Sequence, residues 1–317
     1  QGKQFDVVDL DPYGSAVPFI DGAIQAVKNG GLICVTCTDL AVLASVNHPE
    51  TCFAKYGGSP LRAEFCHELA LRLVVHCLQS SAARYKRFVV PVLSCSIDFY
   101  VRLFVRVYDS AERVKSVASN TGIVYHCPNC RSFEVQPMGT VTPQKNGNFK
   151  YSVASGPITE PVCKACGTHT HVGGPCWIGP LHDKSFVQKM YDHVADAKDL
   201  YKTQPRMKGM LKVIHEELDI PFHYTVSAMS SAVRTSCPSL IDVSSAILNA
   251  GYKVSGVHSC SGALKTDTPA SVMWDIFRAW VEKVGRSKKV QEGSFSAKIL
   301  DQPIRYSIST SQRLCIG

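Results

Sequence analysis

The chain has 317 residues, 45% of them hydrophobic, and a formal net charge of +8. This length accommodates two domains of ordinary size, and the hydrophobic fraction excludes a disordered chain. The modest basic excess is compatible with a polyanionic partner but does not by itself establish one. No unbroken apolar run is long enough to span a bilayer, so we expect no membrane partner.

The chain contains 14 cysteines, which would suit a disulfide-stapled secreted protein only if the chain were small. Several of them, including Cys34, Cys77 and Cys95, lie in apolar strand or helix patterns. Such cysteines are typical of buried free thiols in a reducing compartment. We see no signal peptide and no Asn-x-Ser/Thr sequon, and we expect an intracellular protein of the nucleus, cytoplasm or mitochondrion.

Hydrophobic periodicity predicts alternating strands and helices in the first third of the chain. In chain order, the predicted elements there are a buried strand at 5–10, a helix at 17–27 closed by Asn29-Gly30-Gly31, a strand at 32–37, a loop to residue 60, a helix over about 61–78, and an antiparallel strand pair at 87–96 and 100–108. The later predicted elements are strands at 123–126 and 133–136, helices at 186–194, 207–218, 226–233 and 240–248, a strand at 252–257 and a helix at 270–284.

Two acidic residues, Asp9 and Asp11, lie near the carboxyl end of the first predicted strand, and Pro12, Tyr13 and Gly14 follow. In an open α/β sheet, ligands bind just past the carboxyl ends of the strands. A carboxylate there can accept hydrogen bonds from an exocyclic amine, and an adjacent aromatic ring can stack on a base. The alternative is an ordinary turn punctuated by proline and glycine.

The stretch DLDPYGS, followed by GGLICVTCTD, resembles the tRNA (guanine-26) N2-dimethyltransferase family. The resemblance implies that Asp11 holds or deprotonates the guanine amine, that Tyr13 stacks on the base, and that Asp9 belongs to the catalytic group. It implies S-adenosylmethionine as the methyl donor, with Asp9 and Pro12 as candidate contacts to it. The glycine-rich cofactor loop of class I methyltransferases is not found in the sequence. We therefore expect a fragment that lacks the N-terminal cofactor-binding half and is inactive alone.

Two Cys-x-x-Cys turns, formed by Cys127 with Cys130 and by Cys163 with Cys166, offer four thiolates. Four cysteines in this pattern predict a closed, tetrahedral and therefore structural zinc site in a zinc-ribbon-like module. A redox pair, a disulfide and an iron–sulfur cluster are the alternatives. The motifs HCPNC and CKACG belong to the same resemblance, as does KTDTPASVMWDIFRAW farther along.

Candidate tRNA contacts lie in two segments that resemble the same family. Lys55 could meet a phosphate and Tyr56 could stack on a base, whereas Asp39 could line the pocket or cap a short helix. Lys265 is the predicted phosphate contact in the KTDTP segment, and Asp267 is a second candidate that could instead cap the following helix. Other basic residues that could form a tRNA-binding surface are Arg206, Lys208, Lys212, Arg286, Lys288 and Lys289.

The predicted fold class is α/β, a partial class I (Rossmann-like) methyltransferase sheet followed by the zinc-ribbon-like module and a mainly helical, winged-helix-like C-terminal region. The predicted divisions are the second half of the methyltransferase domain at 1–110, the zinc module at 111–184, a helical tRNA-binding region at 185–300 and a tail at 301–317. The predicted function is transfer of methyl groups to guanine N2 at tRNA position 26, with tRNA as partner and no obligate protein partner evident. A non-catalytic tRNA-binding paralogue, or an amino-methyltransferase acting on another RNA or a protein, is the alternative.

Overall fold

The structure, a computed structural model, describes residues 4–197 and 200–305. Its first part is a four-stranded sheet covered by helices. In chain order, the elements of this part are β1 (Phe5–Leu10), α1 (Val17–Ala26), β2 (Val27–Cys37), α2 (Leu40–Leu43), α3 (Pro49–Tyr56), α4 (Cys66–Arg84), β3 (Arg87–Ile97) and β4 (Tyr100–Asp109). The strand order is β1-β2-β4-β3, with β1 parallel to β2 and the other neighbours antiparallel. The predicted strand pair at the end of this sheet is confirmed.

The prediction that β1 is buried is wrong. Phe5 and Val7 are 50% and 55% exposed, respectively. Within the described residues β1 is an edge strand that pairs only with β2, so part of its apolar surface faces solvent. An exposed apolar edge of this kind is a ready template for another strand.

Three further boundary predictions are corrected by the structure. Asn29-Gly30-Gly31 does not close the first helix, because α1 ends earlier and these residues bulge out of β2 between two paired positions, Val27 and Leu32. Gly30 adopts a φ of +75°, which glycine tolerates at such a bulge. The predicted loop before residue 60 contains α2 and α3, and the long helix α4 begins and ends later than predicted.

The central part is built from short antiparallel strands. Its elements are α5 (Ala111–Val114), a 3₁₀ turn at Ala118–Asn120, β5 (Thr121–His126), β6 (Phe133–Pro137), β7 (Gly139–Pro143), β8 (Phe149–Val153) and β9 (His171–Trp177). A three-stranded sheet has the order β6-β5-β9, and β7 pairs with β8 in a separate hairpin. The predicted strands on either side of the first Cys-x-x-Cys turn are confirmed as β5 and β6.

The last part is mainly helical. Its elements are α6 (Lys184–Asp196), α7 (Gln204–Glu216), β10 (Tyr224–Thr225), α8 (Val226–Ala232), α9 (Leu240–Asn249), β11 (Val254–Ser255), β12 (Ala263–Thr266), α10 (Ala270–Val284) and α11 (Phe295–Leu300). All five predicted helices are present. The predicted strand at 252–257 shrinks to β11, while β12, which the sequence suggested was a polar loop, is the central strand of the sheet β10-β12-β11. None of the helices in the described ranges has the length and apolar character needed to cross a membrane.

Candidate active site

The loop after β1 is fastened to the loop after β2. The Gly14 amide donates to the Thr38 hydroxyl at 2.8 Å, and the Thr38 amide donates to the Gly14 carbonyl at 2.8 Å. Because β1 and β2 are parallel, both loops leave the same edge of the sheet. The Asp-Pro-Tyr-Gly segment is therefore held in place at the edge where ligands of α/β sheets bind, rather than being a free turn.

A chain of polar contacts links the end of this loop, at Ser15, to Tyr56, Asp39 and Lys55. The Tyr56 hydroxyl lies 2.7 Å from Ser15 Oγ and donates to Asp39 Oδ1 at 2.7 Å. Lys55 Nζ pairs with the other oxygen of Asp39 at 3.3 Å. Burial, more than any other cause, raises the pKa of Tyr56 well above its ordinary value, so the hydroxyl stays protonated and able to donate.

This network corrects two of the sequence predictions. The Tyr56 ring is 1% exposed, so it cannot stack on a base of a bound RNA. The side chain of Asp39 does not cap α2, because its carboxylate is used by Tyr56 and Lys55. Lys55 keeps a side chain that is 40% exposed and stays a candidate contact to phosphate.

The predicted substrate-facing residues are accessible. Tyr13 is fully exposed, Asp11 is exposed and Pro12 is half-buried. Among residues 4–197 and 200–305, no side chain hydrogen-bonds the Asp11 carboxylate. A free carboxylate and a free aromatic ring thus lie two residues apart at the sheet edge.

Asp9 is already engaged by a residue that the sequence did not single out. Arg102, on β4, donates to both oxygens of Asp9 at 2.8 Å and to the Thr36 hydroxyl at 2.6 Å. The hydrogen bond to Asp9, the largest cause, raises the pKa of Arg102. The pairing offsets the charge of Asp9, whereas Asp11 feels the Arg102 charge without a side-chain hydrogen bond in the described residues. Strand alternation in β4 could have placed Arg102 on this face only if the pairing of β4 with β2 had been known.

The four predicted metal ligands lie together. The sulfur of Cys127 is 3.4 Å from that of Cys166, the sulfur of Cys130 is 3.4 Å from that of Cys163, and all four lie within 4.8 Å of one another. All four are buried and none forms a disulfide, whose sulfurs would be about 2.05 Å apart. Thiolates about 2.3 Å from a zinc ion lie roughly 3.8 Å apart in a tetrahedron, so this cluster fits zinc.

The two turns that carry these cysteines have matching backbone geometry. The amide of the residue that directly follows the second cysteine closes each turn by donating to the carbonyl of the first cysteine. The Arg131 amide donates to the Cys127 carbonyl at 3.0 Å, and the Gly167 amide donates to the Cys163 carbonyl at 2.7 Å. Arg131 and Gly167 both have a positive φ, at 67° and 73°. The second turn has glycine at this position, as the sequence indicated, whereas the first holds an arginine in the same strained region.

We expect about one zinc ion per chain, and replacement of Cys163 with serine should lower the zinc content and the melting temperature, because a closed structural site loses a thiolate. The matched control is Cys237→Ser, an exposed cysteine outside the cluster, which should retain the metal. Metal analysis of the purified proteins and thermal unfolding provide the measurement. A folded, reduced wild-type chain that contains no metal would contradict the assignment.

Lys265 is not available to a phosphate, and the prediction that it contacts tRNA is wrong. Its side chain is 2% exposed, and its Nζ lies 2.7 Å from the Glu217 carboxylate and 3.2 Å from the Glu68 carboxylate. Glu68 also pairs with Arg72 at 2.8 Å. Burial alone would raise the pKa of Glu68, but Lys265 and Arg72 hold it well below its usual range. Asp267, by contrast, is exposed, and its carboxylate accepts a hydrogen bond from the Lys253 amide at 2.7 Å.

The model of the N2,N2-dimethylguanosine tRNA methyltransferase family matches residues 1–278 of this chain. The chain belongs to this family. The tRNA (guanine(26)-N(2))-dimethyltransferase of Homo sapiens is 46% identical over 300 residues, which cover 94% of this chain and 45% of that protein. The Schizosaccharomyces pombe relative is 46% identical over 302 residues, which cover 94% of this chain and 55% of that protein. A Saccharomyces cerevisiae relative whose name marks it as mitochondrial is 40% identical over 308 residues, which cover 94% of this chain and 54% of that protein.

One solved structure has the same mixed α/β fold as this chain. It is Trm1 from Pyrococcus horikoshii in complex with S-adenosyl-L-methionine, with a TM-score of 0.69 and 28% identity over 89% of this chain and 66% of that chain. This chain spans about half the length of the curated family members named above.

Proposed function

We propose that this chain forms the substrate-facing part of an enzyme that transfers methyl groups from S-adenosylmethionine to the exocyclic N2 of guanine at tRNA position 26, once or twice. The observation that carries the proposal is the exposure of Asp11 and Tyr13 in the Asp11-Pro12-Tyr13 segment at the carboxyl edge of the sheet. Membership of the family and the names of the relatives support the choice of substrate and position.

The chemistry assigned to the chain's own residues is simple. Asp11 accepts a hydrogen bond from the guanine amine and takes its proton, while Tyr13 stacks on a base that has left its helical stack. S-adenosylmethionine supplies an electrophilic methyl group when bound. The described residues fit the acceptor side of this reaction, because Asp11 has no side-chain hydrogen bond among them and Asp9 is paired with Arg102. Pro12 and Asp9 remain the candidate contacts to the donor.

The experiment that tests this function expresses the full-length protein that contains this chain in cells whose own guanine-26 methyltransferase has been deleted. Mass spectrometry of digested tRNA should show N2,N2-dimethylguanosine restored. A reporter tRNA with adenine at position 26 is the control and should stay unmodified. Absence of the modified nucleoside despite a folded, expressed protein would favour a tRNA-binding paralogue, whereas modification at another base or of a protein would favour a different amino-methyltransferase.

We also propose the division of the chain at 110, 184 and 300, with a winged-helix-like tRNA-binding region at 185–300. The support is the packing of α8 against β10 and of α9 against β11 and β12 in the small sheet β10-β12-β11. Of the predicted tail at 301–317, residues 306–317 lie outside the described residues. The compartment stays a prediction.

Binding of tRNA to the chain should weaken steeply as salt rises, because contacts to phosphates release condensed cations. Lys288 and Lys289 are exposed beyond α10, and replacing both with alanine should reduce the slope of log affinity against log salt by about 2. The control is Lys145→Ala, an exposed lysine in the loop between β7 and β8. Filter binding over a salt series measures this, and a salt-independent affinity would contradict the proposed surface.

A further inference from the structure

The turn between β3 and β4 lies at the same edge of the sheet as the Asp11-Pro12-Tyr13 segment. β4 runs antiparallel to β2, and its second residue, Val101, pairs with Cys37, the last residue of β2. β3 pairs with β4 along its length, so that Asp98-Phe99 is a two-residue turn between them. This turn therefore lies past the carboxyl ends of β1 and β2, where ligands of α/β sheets bind.

The side chain of Phe99 is open to solvent at this turn. At 86% exposure, Phe99 is the most exposed phenylalanine among residues 4–197 and 200–305. A single exposed apolar side chain is common on protein surfaces and by itself assigns nothing. Phe99 is distinguished by its position at the ligand-binding edge and by the contacts that hold its turn.

The turn that carries Phe99 is anchored on the side that precedes the ring. Ile97 packs against the apolar cluster that β3 forms with α6 and α7. The Asp98 carboxylate pairs with the Arg206 guanidinium of α7 at 2.7 Å. Asp98 has a φ of +45°, in the left-handed region that aspartate adopts more readily than most non-glycine residues. These contacts fix the backbone from which the ring projects.

The strand order places this turn beside the Asp-Pro-Tyr-Gly loop but not against it. β4 is two strands away from β1, and each step is about 4.8 Å, so the turn lies roughly 10 Å from the end of β1. Stacked nucleotides are spaced about 3.4 Å apart, so one base does not fill that separation. Tyr13 and Phe99 therefore suit two different bases of one strand.

The helix beside the turn is basic. Arg206, which pairs with Asp98, keeps a side chain that is 58% exposed. The same helix, α7, also carries Lys208 and Lys212, while its only acidic residue is the last one, Glu216. Sites for single-stranded nucleic acid combine aromatic rings, on which bases stack, with basic residues that follow the phosphates. Both components are present at this turn.

We propose that Phe99 is a further substrate-binding residue, and that the base next to the target guanine stacks on its ring in the complex with tRNA. This role rests on the proposed function, because it takes the guanine to lie at Asp11 and Tyr13. A guanine that leaves its helical stack deprives the neighbouring base of a stacking partner, and the ring of Phe99 replaces that partner. Because every base has a π-face, this contact stabilises the open strand without selecting a sequence.

The first test replaces Phe99 with the photoreactive p-benzoylphenylalanine in the full-length protein and maps the nucleotides that cross-link in its complex with tRNA. We expect cross-links to a nucleotide directly beside position 26. The same replacement of Phe149, which is 54% exposed on β8, is the matched control and should not cross-link there. Cross-links from the Phe99 position that miss both neighbours of position 26, or no cross-link to bound tRNA, would overturn the proposal.

The cross-linking result does not depend on methyl transfer. Wild-type protein that cross-links as expected but leaves guanine N2 unmodified would contradict the proposed function and keep the stacking role of Phe99. Wild-type protein that methylates guanine 26 but gives no cross-link beside it would contradict the stacking role alone.

The second test measures kcat/KM for methylation of tRNA by the full-length protein. Phe99→Ala should lower it roughly five- to hundredfold, the effect of losing one stacked base. Phe99→Trp should retain most of the activity, whereas Phe99→Leu, which is apolar but has no aromatic face, should resemble Phe99→Ala. Phe149→Ala should have no effect. The melting temperature of Phe99→Ala should match that of the wild type, because the side chain is exposed.

A tRNA that lacks one base beside position 26 completes a cycle with Phe99→Ala. If the missing base is the one that stacks on the ring, Phe99→Ala should lower the rate on this tRNA by less than about twofold. Separate tRNAs that lack either neighbouring base cover both possibilities. A full loss from Phe99→Ala on both of them, or a Phe99→Leu enzyme as active as the wild type, would overturn the proposal.

Discussion

Replacing Lys265 with methionine is expected to destabilise the chain by about 3–5 kcal/mol, the usual cost of breaking a buried ion pair from one side. The substitution leaves the Glu68 and Glu217 carboxylates buried without the ammonium that lies between them. Arg72 still pairs with Glu68, and His258 Nδ1 still lies 2.8 Å from Glu217, so each carboxylate loses one partner and keeps another. Urea unfolding followed by circular dichroism measures the change in the free energy of unfolding.

The matched control is Lys253→Met. Lys253 directly precedes β11 of the same small sheet, and its side chain is exposed. Its effect should stay within about 0.5 kcal/mol, as for most surface substitutions. Measuring tRNA binding by the folded Lys265→Met variant over a salt series distinguishes the ion-pair role of Lys265 from the phosphate contact that the sequence predicted. If Lys265→Met is as stable as the wild type but lowers the salt dependence of tRNA binding, the ion-pair assignment is wrong.

Replacing Asp11 with alanine, in the full-length protein, is expected to lower guanine N2 methylation by roughly a hundredfold. A lost charged hydrogen bond in the transition state is worth on the order of 2–4 kcal/mol. Binding of tRNA should be almost unchanged, because phosphate contacts supply most of that affinity. Single-turnover methylation with labelled donor, together with filter binding, measures both quantities.

Two substitutions of Tyr13 extend this experiment, because they remove either the hydroxyl or the whole ring. Tyr13→Phe should be mild and Tyr13→Ala severe, because stacking needs only the ring. Asp6→Ala is the control: this exposed carboxylate lies at the other end of β1 and pairs with Lys28 at 2.9 Å. Full turnover by the Asp11→Ala enzyme would show that a group other than Asp11 accepts the hydrogen bond and the proton of the guanine amine.

The features that the sequence determined by itself are local. Examples are the strand that precedes Asp-Pro-Tyr-Gly, the two Cys-x-x-Cys turns and most helices. These features depend on residues a few positions apart, whose spacing is fixed by backbone geometry. The cysteine ligands could be named because each turn brings two of them together within four residues. The resemblance to the family rested on the same short motifs.

Only the tertiary structure decided which polar residues are exposed. Lys265 lies in a polar segment that looks like a surface loop, yet its partners are 48 and 197 residues away in sequence. Arg102 meets Asp9 across 93 residues, and Tyr56 meets Ser15 across 41. A lysine, an arginine or a tyrosine has the same local pattern whether it faces solvent or a buried carboxylate. The difference arises from long-range pairing of strands and helices, which sets the burial and the partners of each charge.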